Sequence, residues 1–425
     1  MRVGIYSLGC KVNIYESEYV IELLKNHDYE IVDFDSIADI YIINTCSVTN
    51  QSDVKSRKMI REARKRNPEA LVIAMGCYTQ VKPNDADADI VLGNKDKSRI
   101  IEIIDEYLDN GNNISKIYDL RSDIEFEDMK IDKFENHTRA FVKIQDGCNA
   151  FCTYCIIPYT RGKIRSKKFE TVIEEITDLV NNGYKEIVLT GIHTGKYGMD
   201  INTDLETLLK ELVKIPNIYR IRLSSIEINE ITDGIIDLMK NNNIIARHLH
   251  IPLQSGSDKI LKLMNRKYDL DYFFKKLDKI RSNIEDISIT TDLIVGFPNE
   301  TEEDFKNTID TLNRIKFTKI HTFPYSRRDG TIASTMKNQV DGNIKKKRVR
   351  EVLEISKKWE YSFYNDRIGK TYDVLTETNK NGNYIGHTSN YIPIIIDKEV
   401  TDNDIVKVKI TNVDDNNIVY GELIN

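Results

Sequence analysis

Six cysteines mark this sequence, and three of them lie far apart within its first hundred residues. Cys10, Cys46 and Cys77 each follow an apolar run that predicts a buried β-strand, "RVGIYSL", "ADIYIIN" and "ALVIAMG" respectively. A fourth run, "DIVLG", comes later, and helical patterns alternate with these strands near residues 16–27, 53–66 and 98–108. Such alternation predicts a parallel sheet with helices on both faces. Because parallel strands bring their carboxyl ends to one edge, we expect the three cysteines to converge there.

The other three cysteines share one loop after the predicted strand "RAFVKIQ". Cys148, Cys152 and Cys155 stand at C-x3-C-x2-C spacing in "DGCNAFCTYCIIP". Three thiolates on one loop can hold three irons of a four-iron cube and leave the fourth iron without a protein ligand, and an open position is typical of catalytic metal sites. Two alternatives remain: a zinc site, which requires a fourth ligand close by, and reduced cysteines packed in a core.

Composition sets limits on location and partners. Six cysteines in 425 residues are too few for a secreted disulfide scaffold. No window approaches the roughly 18 consecutive apolar residues of a membrane span, and "MRVGIYSLGC" lacks a cleavage site for a signal peptide. We therefore expect a cytoplasmic protein without a membrane partner. The formal net charge of −6 does not indicate a nucleic-acid binder, although local basic faces can outweigh it.

The rest of the chain predicts two more units. Six strands alternate with helices in the order "RAFVKIQ", "KEIVLTG", "IYRIRLSS", "ARHLHIPL", "ISITTDLIVG" and "FTKIHTFPYS", which favours an open (β/α)6 barrel with its site at the strands' carboxyl ends. A long helix over about 343–365 closes this unit. Five short β-rich runs then predict a small closed barrel. The expected domains are 1–121, 134–367 and 368–425, with an acidic connector over about 122–137.

The cysteine loop resembles that of the radical SAM superfamily, including the aromatic Tyr154 before the last cysteine. Four later strand ends agree with the resemblance: "LTGIHTG", "RLSSIE", "HIPLQSGS" and "VGFPNET". In that superfamily the iron without a protein ligand is chelated by S-adenosylmethionine, and one electron then splits the sulfonium to a 5′-deoxyadenosyl radical. A reductant such as flavodoxin or ferredoxin is implied. The residues that the resemblance implies for cofactor binding are Tyr154, Gly191, Ser225, Glu227, Gln254, Gly296 and Pro298.

The first three cysteines are similar to those of one subgroup, the methylthiotransferases. There "GC", "NTC" and "GC", here ending at Cys10, Cys46 and Cys77, hold a second [4Fe-4S] cluster that presents sulfur to the substrate radical. All six cysteines would then be catalytic. The competing interpretation is three buried apolar residues at strand ends, since free cysteine is commonly buried. The C-terminal barrel resembles the TRAM domain of RNA-modifying enzymes.

The residues after the first cysteine indicate a substrate. "GCKVN" is similar to the branch that adds a methylthio group to C2 of N6-threonylcarbamoyladenosine at position 37, next to the tRNA anticodon. The isopentenyladenosine branch usually reads Gln-Met-Asn after the cysteine, and the ribosomal-protein aspartate branch reads Pro-Lys-Asn; both stay open. C2 carries a hydrogen that is not acidic, so side chains alone offer no easy route and a cofactor is needed. From another class, an iron–sulfur electron carrier or RNA-binding module is a further alternative.

Contact with the anticodon stem-loop would require basic surfaces. Two runs are candidates, "KSRKMIREARKR" over residues 55–66 and, more strongly, "RGKIRSKK" over residues 161–168. The C-terminal barrel is less suited, because residues 371–425 contain nine acidic and four basic side chains. His248 and His250 in "RHLHIP" hint at a metal pair, but no carboxylate recurs at a matching strand end.

Overall fold

The computed structural model describes residues 1–122, 125–134, 137–380 and 383–424. The connector expected over about 122–137 falls partly outside these residues. Within the described part, no helix is long and apolar enough to cross a membrane.

The N-terminal part is a six-stranded, fully parallel sheet in the order β2-β1-β3-β4-β5-β6. Its strands are β1 (Arg2–Ser7), β2 (Glu30–Val32), β3 (Ile40–Thr45), β4 (Leu71–Gly76), β5 (Ile90–Leu92) and β6 (Ile114–Lys116). The helices between them are α1 (Lys11–Lys25), α2 (Asn50–Arg66), α3 (Cys77–Val81) and α4 (Ile100–Asn110). The four predicted strands are confirmed. The sequence did not predict β2 and β6, because these short edge strands are only partly buried and lack the apolar run that marks the equally short β5.

The central part contains all six predicted strands, and they run parallel. They are β7 (Ala140–Asp146), β9 (Glu186–Gly191), β10 (Arg220–Leu223), β11 (His248–His250), β12 (Ser288–Val295) and β13 (Lys319–Pro324), with a short β8 (Arg165–Ser166) antiparallel to β7. Two sheets, β10-β9-β7-β8 and β11-β12-β13, are connected by isolated bridges such as that between Ser225 and His250. The result is the expected open half-barrel.

Helices cover the outer face of the half-barrel, and one buried apolar cluster joins them to the strands. Apart from the short helices α5 (Ile157–Arg161) and α12 (Ile332–Thr335), which are not part of that cluster, they are α6 (Phe169–Asn181), α7 (Leu205–Leu212), α8 (Asp233–Asn241), α9 (Asp258–Leu263), α10 (Leu270–Asn283), α11 (Glu302–Ile315) and α13 (Gly342–Asn365). The last of these is the long helix that the sequence predicts.

The C-terminal part is a closed five-stranded barrel in the order β14-β15-β16-β18-β17, as predicted. Its strands are β14 (Thr371–Lys380), β15 (Asn383–Thr388), β16 (Pro393–Ile396), β17 (Ile405–Val413) and β18 (Val419–Ile424). Closure leaves no free sheet edge. The barrel packs against the half-barrel, where the Arg220 and Arg222 guanidiniums donate to carbonyls of β14, β15 and the loop after β15.

Helix α1 connects the N-terminal sheet to the half-barrel. It packs against β7 and β9. The Tyr15 hydroxyl donates to Glu175 Oε1 on α6 at 2.8 Å, and the Glu16 carboxylate accepts from Lys143 Nζ on β7 at 2.8 Å. Because α1 begins directly after Cys10, the carboxyl edge of the N-terminal sheet lies against the central part.

Candidate functional site

Three cysteines lie in the loop that follows β7: Cys148, Cys152 and Cys155. The loop is closed by hydrogen bonds, since the Cys148 amide donates to the Gly162 carbonyl at 3.0 Å and the Cys155 amide donates to the Cys152 carbonyl at 2.9 Å. Gly147 enters the loop at φ +73°, and a Cβ there would lie 1.8 Å from the Lys163 carbonyl oxygen. Only glycine fits both the backbone angle and the space.

A histidine and a glutamate support the first of these thiols. Cys148 Sγ lies 3.3 Å from His193 Nδ1, and His193 Nε2 lies 2.7 Å from Glu230 Oε1. Burial lowers the pKa of His193, but the contacts with Cys148 and Glu230 raise it to about 10. The imidazole is therefore held as a cation beside the thiol. His193 belongs to "LTGIHTG", of which the sequence analysis singled out only Gly191.

An arginine approaches the second thiol. Arg266 Nη1 donates to Cys152 Sγ at 3.4 Å, and Nη2 forms an ion pair with Glu227. Glu227, expected from the sequence to contact the cofactor, thus orients a cation that points at the thiol loop. Sequence analysis did not find Arg266, because it lies in a connection without any motif. Burial and the neighbouring Cys152 raise the pKa of Cys155, so in the metal-free protein its thiol keeps its proton until metal replaces it.

Two cavities adjoin this loop. One is lined by Cys155, Tyr154 and Gln254, together with Val48 and Thr49. Val48 and Thr49 follow Cys46 by two and three positions, so this cavity is shared by the local cysteine loop and the segment after Cys46.

The second cavity is lined by Cys152, His193, Glu227 and Arg266 among others. Three of the seven expected cofactor contacts, Tyr154, Glu227 and Gln254, therefore border one cavity or the other.

The other four expected contacts lie at strand ends but do not line either cavity. Gly191 is the last residue of β9, and Ser225 forms the bridge to His250. Gly296, at φ +70°, follows β12 and donates its amide to Glu300 Oε1 at 2.8 Å, while Pro298 is buried in the next turn. This stretch turns β12 into α11.

The dispersed cysteines Cys10, Cys46 and Cys77 lie at the carboxyl edge of the N-terminal sheet, after β1, β3 and β4. The glycine before Cys10 shows how close two of these loops are. Gly9 has φ +104°, and a Cβ there would lie 3.0 Å from Cys46 Sγ. Gly76 has φ +109°, and a Cβ there would lie 2.6 Å from Asn44 Oδ1. In both places the loops can approach only because the residue is glycine.

The side chain of Asn13 ties these loops together. Its amide donates to the Leu8 carbonyl at 2.7 Å and to the Thr45 carbonyl at 3.0 Å, at the ends of β1 and β3. The Thr45 hydroxyl donates in turn to the Met75 carbonyl of β4 at 2.7 Å. The asparagine of "GCKVN" and the threonine of "NTC" therefore hold the three cysteine loops in register.

The thiols of the dispersed group act on one another. Burial raises the pKa of Cys46 to about 11, with a further rise from Cys77 and Cys10. Cys46 and Cys77 are buried, whereas Cys10 is exposed to solvent, although the surrounding protein is dense enough to raise the pKa of its thiol by desolvation. The pKa values of the Cys10 and Cys46 thiols are thus raised both by burial and by neighbouring thiols.

Behind the dispersed group lies a buried charge network that spans the N-terminal and central parts. Glu16 Oε1 lies 2.7 Å from Arg161 Nη1 and 2.8 Å from Lys143 Nζ, and Glu16 Oε2 lies 3.2 Å from Lys97 Nζ. Asp146 pairs with Lys143 at 2.7 Å and with Arg161 at 3.2 Å. Although burial acts in the opposite direction, these cations lower the pKa of both carboxyl groups, which stay ionised.

This network contains more positive than negative charge among the described residues. Two carboxylates, Glu16 and Asp146, face four cations: Lys97, Lys143, Arg161 and Arg165, all of them buried. Buried Arg161 Nε also lacks a hydrogen-bond partner. Uncompensated buried cations are costly. A cluster held by three thiolates carries negative charge and would supply the missing compensation, so these residues fit an iron–sulfur cluster.

The side chains are less well arranged for a site that holds a single metal ion. Across the described ranges, no three histidine, cysteine or acidic side chains are arranged to hold one ion. In a four-iron cube each thiolate binds a different iron, so the sulfurs stand farther apart than around one zinc ion. His248 Nε2 and His250 Nδ1 both contact the Thr290 hydroxyl, at 3.0 and 2.9 Å, and do not form the metal pair hinted at by the sequence.

The expectation that "RGKIRSKK" contacts RNA is wrong for three of its five cations. Arg161, Arg165 and Lys167 are buried, and Lys167 pairs with Glu175 at 2.5 Å. Only Lys163 and Lys168 are exposed. A run of basic residues in a sequence does not distinguish a solvated surface from a buried ion-pair network.

The other basic run, on α2, is more open. Arg61, Lys58 and Lys65 are exposed, whereas Arg64 is engaged with Asp89 at 2.5 Å. Arg57 donates to the Tyr78 hydroxyl at 3.2 Å. Part of this face is thus available for phosphates.

Comparison with family models agrees with the three-part architecture. The radical SAM superfamily matches residues 142–312, the TRAM domain matches 366–424, and uncharacterized protein family UPF0004 matches 2–93. The solved structure of the radical S-adenosylmethionine methyltransferase TsrM from Kitasatospora setae, with cobalamin and a [4Fe-4S] cluster bound, aligns with a TM-score of 0.58 at 13% identity and covers 78% of this chain and 76% of that one. At this identity the likeness concerns the fold alone.

Curated relatives match over most of the chain. The threonylcarbamoyladenosine tRNA methylthiotransferase MtaB of Bacillus subtilis is 41% identical over 96% of this chain and 93% of its own length. The MtaB of Aquifex aeolicus is 40% identical over 88% of this chain and 92% of its own. A tRNA-2-methylthio-N(6)-dimethylallyladenosine synthase from a Thermoanaerobacter species is 37% identical over 88% of this chain and 81% of its own. With this identity over nearly its whole length, the chain belongs to the radical SAM methylthiotransferase family.

Proposed function

We propose that this protein adds a methylthio group to C2 of N6-threonylcarbamoyladenosine at position 37 of tRNA. The observation that carries the proposal is the 41% identity to the Bacillus subtilis MtaB over 96% of the chain, because that relative's name states the modified nucleoside and the transferred group. A supporting observation is that Cys155 of the loop group shares one cavity with Val48 and Thr49, which follow Cys46 in the sequence, because such a transfer needs the two groups close together.

Two [4Fe-4S] clusters and S-adenosylmethionine are the cofactors. Cys148, Cys152 and Cys155 would hold one cluster. Cys10, Cys46 and Cys77 would hold the other. When bound, these groups supply the carbon radical that removes the C2 hydrogen, the sulfur, and the methyl group. The chain contributes position: Cys155 and the segment just after Cys46 line one cavity, which would limit the separation of the reacting groups.

Individual side chains prepare the two sites. His193 and Arg266 are cations beside Cys148 and Cys152, and they would balance thiolate charge there. Tyr154, Gln254 and Glu227 would contact S-adenosylmethionine from the cavity walls. Gly191, Ser225, Gly296 and Pro298 would shape the strand ends that carry these contacts.

The substrate is a tRNA, and the anticodon stem-loop is the part that must reach the cavity. A base in a loop can leave its stack and be held by aromatic and polar side chains. The exposed cations of α2 would contact phosphates. We further propose a cytoplasmic enzyme without a membrane partner, reduced by flavodoxin or ferredoxin, with domains at 1–121, 134–367 and 368–425.

Nucleoside analysis tests this function. In total tRNA from a strain that lacks the gene, mass spectrometry should show loss of 2-methylthio-N6-threonylcarbamoyladenosine and retention of its precursor, N6-threonylcarbamoyladenosine. Loss of only the isopentenyl analogue would instead assign the chain to the other tRNA branch, to which a relative is 37% identical. Failure of the reduced, reconstituted protein to release 5′-deoxyadenosine would exclude radical chemistry altogether.

A further inference from the structure

The segment that follows Cys46 reaches the central part of the molecule. It covers residues 47–53, from the end of β3 to the first turn of α2. Within it, Val48 keeps 54% of its surface exposed and lines the cavity that Cys155 also lines. The position of this segment therefore decides where the Cys46 loop stands in relation to that cavity.

Arg328, in the loop that follows β13, holds this segment through its side chain. Its Nη2 donates to the Ser47 hydroxyl at 2.6 Å, and its Nη1 donates to Asn50 Oδ1 at 2.8 Å. Both nitrogens also donate to the Asp53 carboxylate, at 3.0 and 3.1 Å. From the same loop the Ser326 hydroxyl accepts from the Asn50 amide at 3.1 Å. One arginine thus contacts the beginning, the middle and the end of the segment.

This contact is closed to solvent. Arg328 retains only 4% of its surface and Asp53 only 3%. The buried Ser47 hydroxyl donates to Asp53 Oδ1 at 3.0 Å, so the carboxylate has partners from both parts of the chain. A buried ion pair adds little net stability compared with apolar residues of similar volume, but a planar guanidinium admits only a narrow range of partner positions. The arginine therefore fixes geometry more than it adds stability.

The loop after β13 is also tied to the other cysteine group. The Arg328 carbonyl accepts from the Thr331 amide at 3.1 Å and from the Thr331 hydroxyl at 2.6 Å, which folds the chain into a tight turn. Shortly after this turn, the Ala333 amide donates to the Thr153 carbonyl at 2.8 Å. Thr153 belongs to the loop of the other three cysteines. Residues 326–333, the linking loop, thus contact both cysteine groups.

The cavity lies along this connection. Pro324, Tyr325 and Ser326 lead into the linking loop, and they line the cavity together with Thr49 and Cys155. Its walls therefore include the segment after Cys46 and the loop of the other cysteines. A change in the linking loop would alter the space between these two places without touching any thiol.

We propose that Arg328 is a positioning residue that sets the separation of the two cysteine groups through the linking loop. The inference rests on the proposed function, in which release of 5′-deoxyadenosine needs only the cysteines after β7, whereas methylthio transfer needs both groups at one substrate carbon. A displacement of about 1 Å between reacting groups can cost on the order of 100-fold in rate. Without Arg328, S-adenosylmethionine is still cleaved, with the hydrogen atom taken from buffer or protein, while methylthio transfer fails.

Two measurements on Arg328→Gln test the proposal. In the metal-free protein, hydrogen–deuterium exchange should become faster for the amides of residues 47–53 and stay unchanged for β4. In the reconstituted enzyme with a threonylcarbamoyladenosine stem-loop, the ratio of 5′-deoxyadenosine to methylthio product should rise about 10- to 100-fold. The rate of 5′-deoxyadenosine release should stay close to that of the wild type. Unchanged iron content shows that both cysteine groups still hold metal.

Further variants isolate the geometry of the guanidinium. Arg328→Lys keeps the charge but not the fork of donors, and it should give an intermediate ratio. Asp53→Asn should raise the ratio as well. The double variant of Arg328→Gln and Asp53→Asn should add little to either single change, because both remove the same contact.

Arg367→Gln is the matched control. Arg367 is also a buried arginine, and it pairs with Asp286 at 2.6 Å, just before β12 and therefore at the other end of the strands. Its loss should leave unchanged both the exchange of residues 47–53 and the ratio of 5′-deoxyadenosine to product.

Each outcome separates the two levels of inference. Unchanged exchange in Arg328→Gln, or faster exchange with an unchanged ratio, would overturn the proposal. A parallel fall of 5′-deoxyadenosine and methylthio product would do so too, since it would show damage to radical formation itself.

The proposed function fails separately, if the wild-type protein releases 5′-deoxyadenosine but never converts the threonylcarbamoyladenosine stem-loop. In that case the separation between the two reconstituted clusters, measured by pulsed EPR, still tests Arg328. A distance distribution in Arg328→Gln that equals that of the wild type would overturn its positioning role.

Discussion

The two cysteine groups of this protein are built in opposite ways. Cys148, Cys152 and Cys155 lie within eight positions of one loop, and its shape depends on local hydrogen bonds and on Gly147. The dispersed group instead draws its members from three strand ends between residues 10 and 77. Its geometry exists only when the whole N-terminal sheet is folded. A local site is encoded by spacing, whereas a dispersed site is encoded by the fold.

The difference extends to the surroundings. The local group has single charged neighbours, His193 and Arg266, that point at individual thiols. The dispersed group is backed by a network that includes Arg161 of the central part. The dispersed site therefore depends on the docking of two parts of the molecule, and residues far from any cysteine should affect it.

The largest expected effect is the separate loss of each cluster. Cys152→Ala and Cys46→Ala should each remove half of the iron from the anaerobically reconstituted protein, because each removes one thiolate of a three-thiolate site. Only Cys152→Ala should abolish release of 5′-deoxyadenosine. Iron and nucleoside assays on both variants check this. Equal loss of 5′-deoxyadenosine in both would show that the two sites are not independent.

The next largest effect is expected from a charge substitution in the buried network behind the dispersed cysteines. Glu16→Gln leaves four buried cations with one carboxylate, and we expect it to lower the free energy of unfolding of the metal-free protein by about 3–5 kcal/mol. The exposed Glu102, which pairs with Arg99, provides the matched control, Glu102→Gln. Urea unfolding of both variants measures the difference. A loss as small as that of the control would mean that water reaches the network.

Backbone strain gives a smaller effect at the dispersed site. Gly76→Ala places a methyl group 2.6 Å from Asn44 Oδ1 at φ +109°, and Gly183→Ala places one at φ +94° with no atom within 4 Å. Both bear the cost of the left-handed region, roughly 1–3 kcal/mol, and Gly76→Ala also bears the cost of the crowding. Only the first should also lose iron from the dispersed group. Thermal unfolding and iron assays on the pair distinguish strain from crowding.

The smallest expected effect concerns Asn13. Asn13→Ala removes the amide that ties β1 to β3 and leaves buried carbonyls unpaired, which costs about 1–3 kcal/mol. Iron in the local group should remain. The control is Asn110→Ala, which removes a side-chain hydrogen bond to the Glu106 carbonyl at an exposed helix end. Retention of all iron in Asn13→Ala would show that the sheet alone positions the three cysteines.

The sequence predicted the architecture well because its strands are long and apolar. Strand runs such as "ALVIAMG" are buried along their length, so each shows as a continuous apolar run in the sequence. The position of the cysteines at strand ends followed from the topology of parallel sheets. The supporting charges were not predictable, because the partners of Arg161 include Glu16, 145 positions away. A basic run looks the same on a surface and in an interior, which is why "RGKIRSKK" was misread.

The acidic C-terminal barrel shows a similar limit. Its excess of carboxylates argued against a role beside RNA, but two of them face the half-barrel: Glu377 lies 3.3 Å from Arg139 and Asp404 lies 2.7 Å from Lys185. Part of the acidity thus serves docking between domains. Net charge of a segment does not report which of its faces meets a partner.

The short helix α5 starts two positions after Cys155 and ends at Arg161. The segment from Cys155 to Arg161 thus begins with a proposed ligand of the loop cluster and ends with a cation that lies behind the dispersed cysteines. A shift of this helix would therefore disturb both cluster sites at once, whereas the loss of one cysteine disturbs only its own.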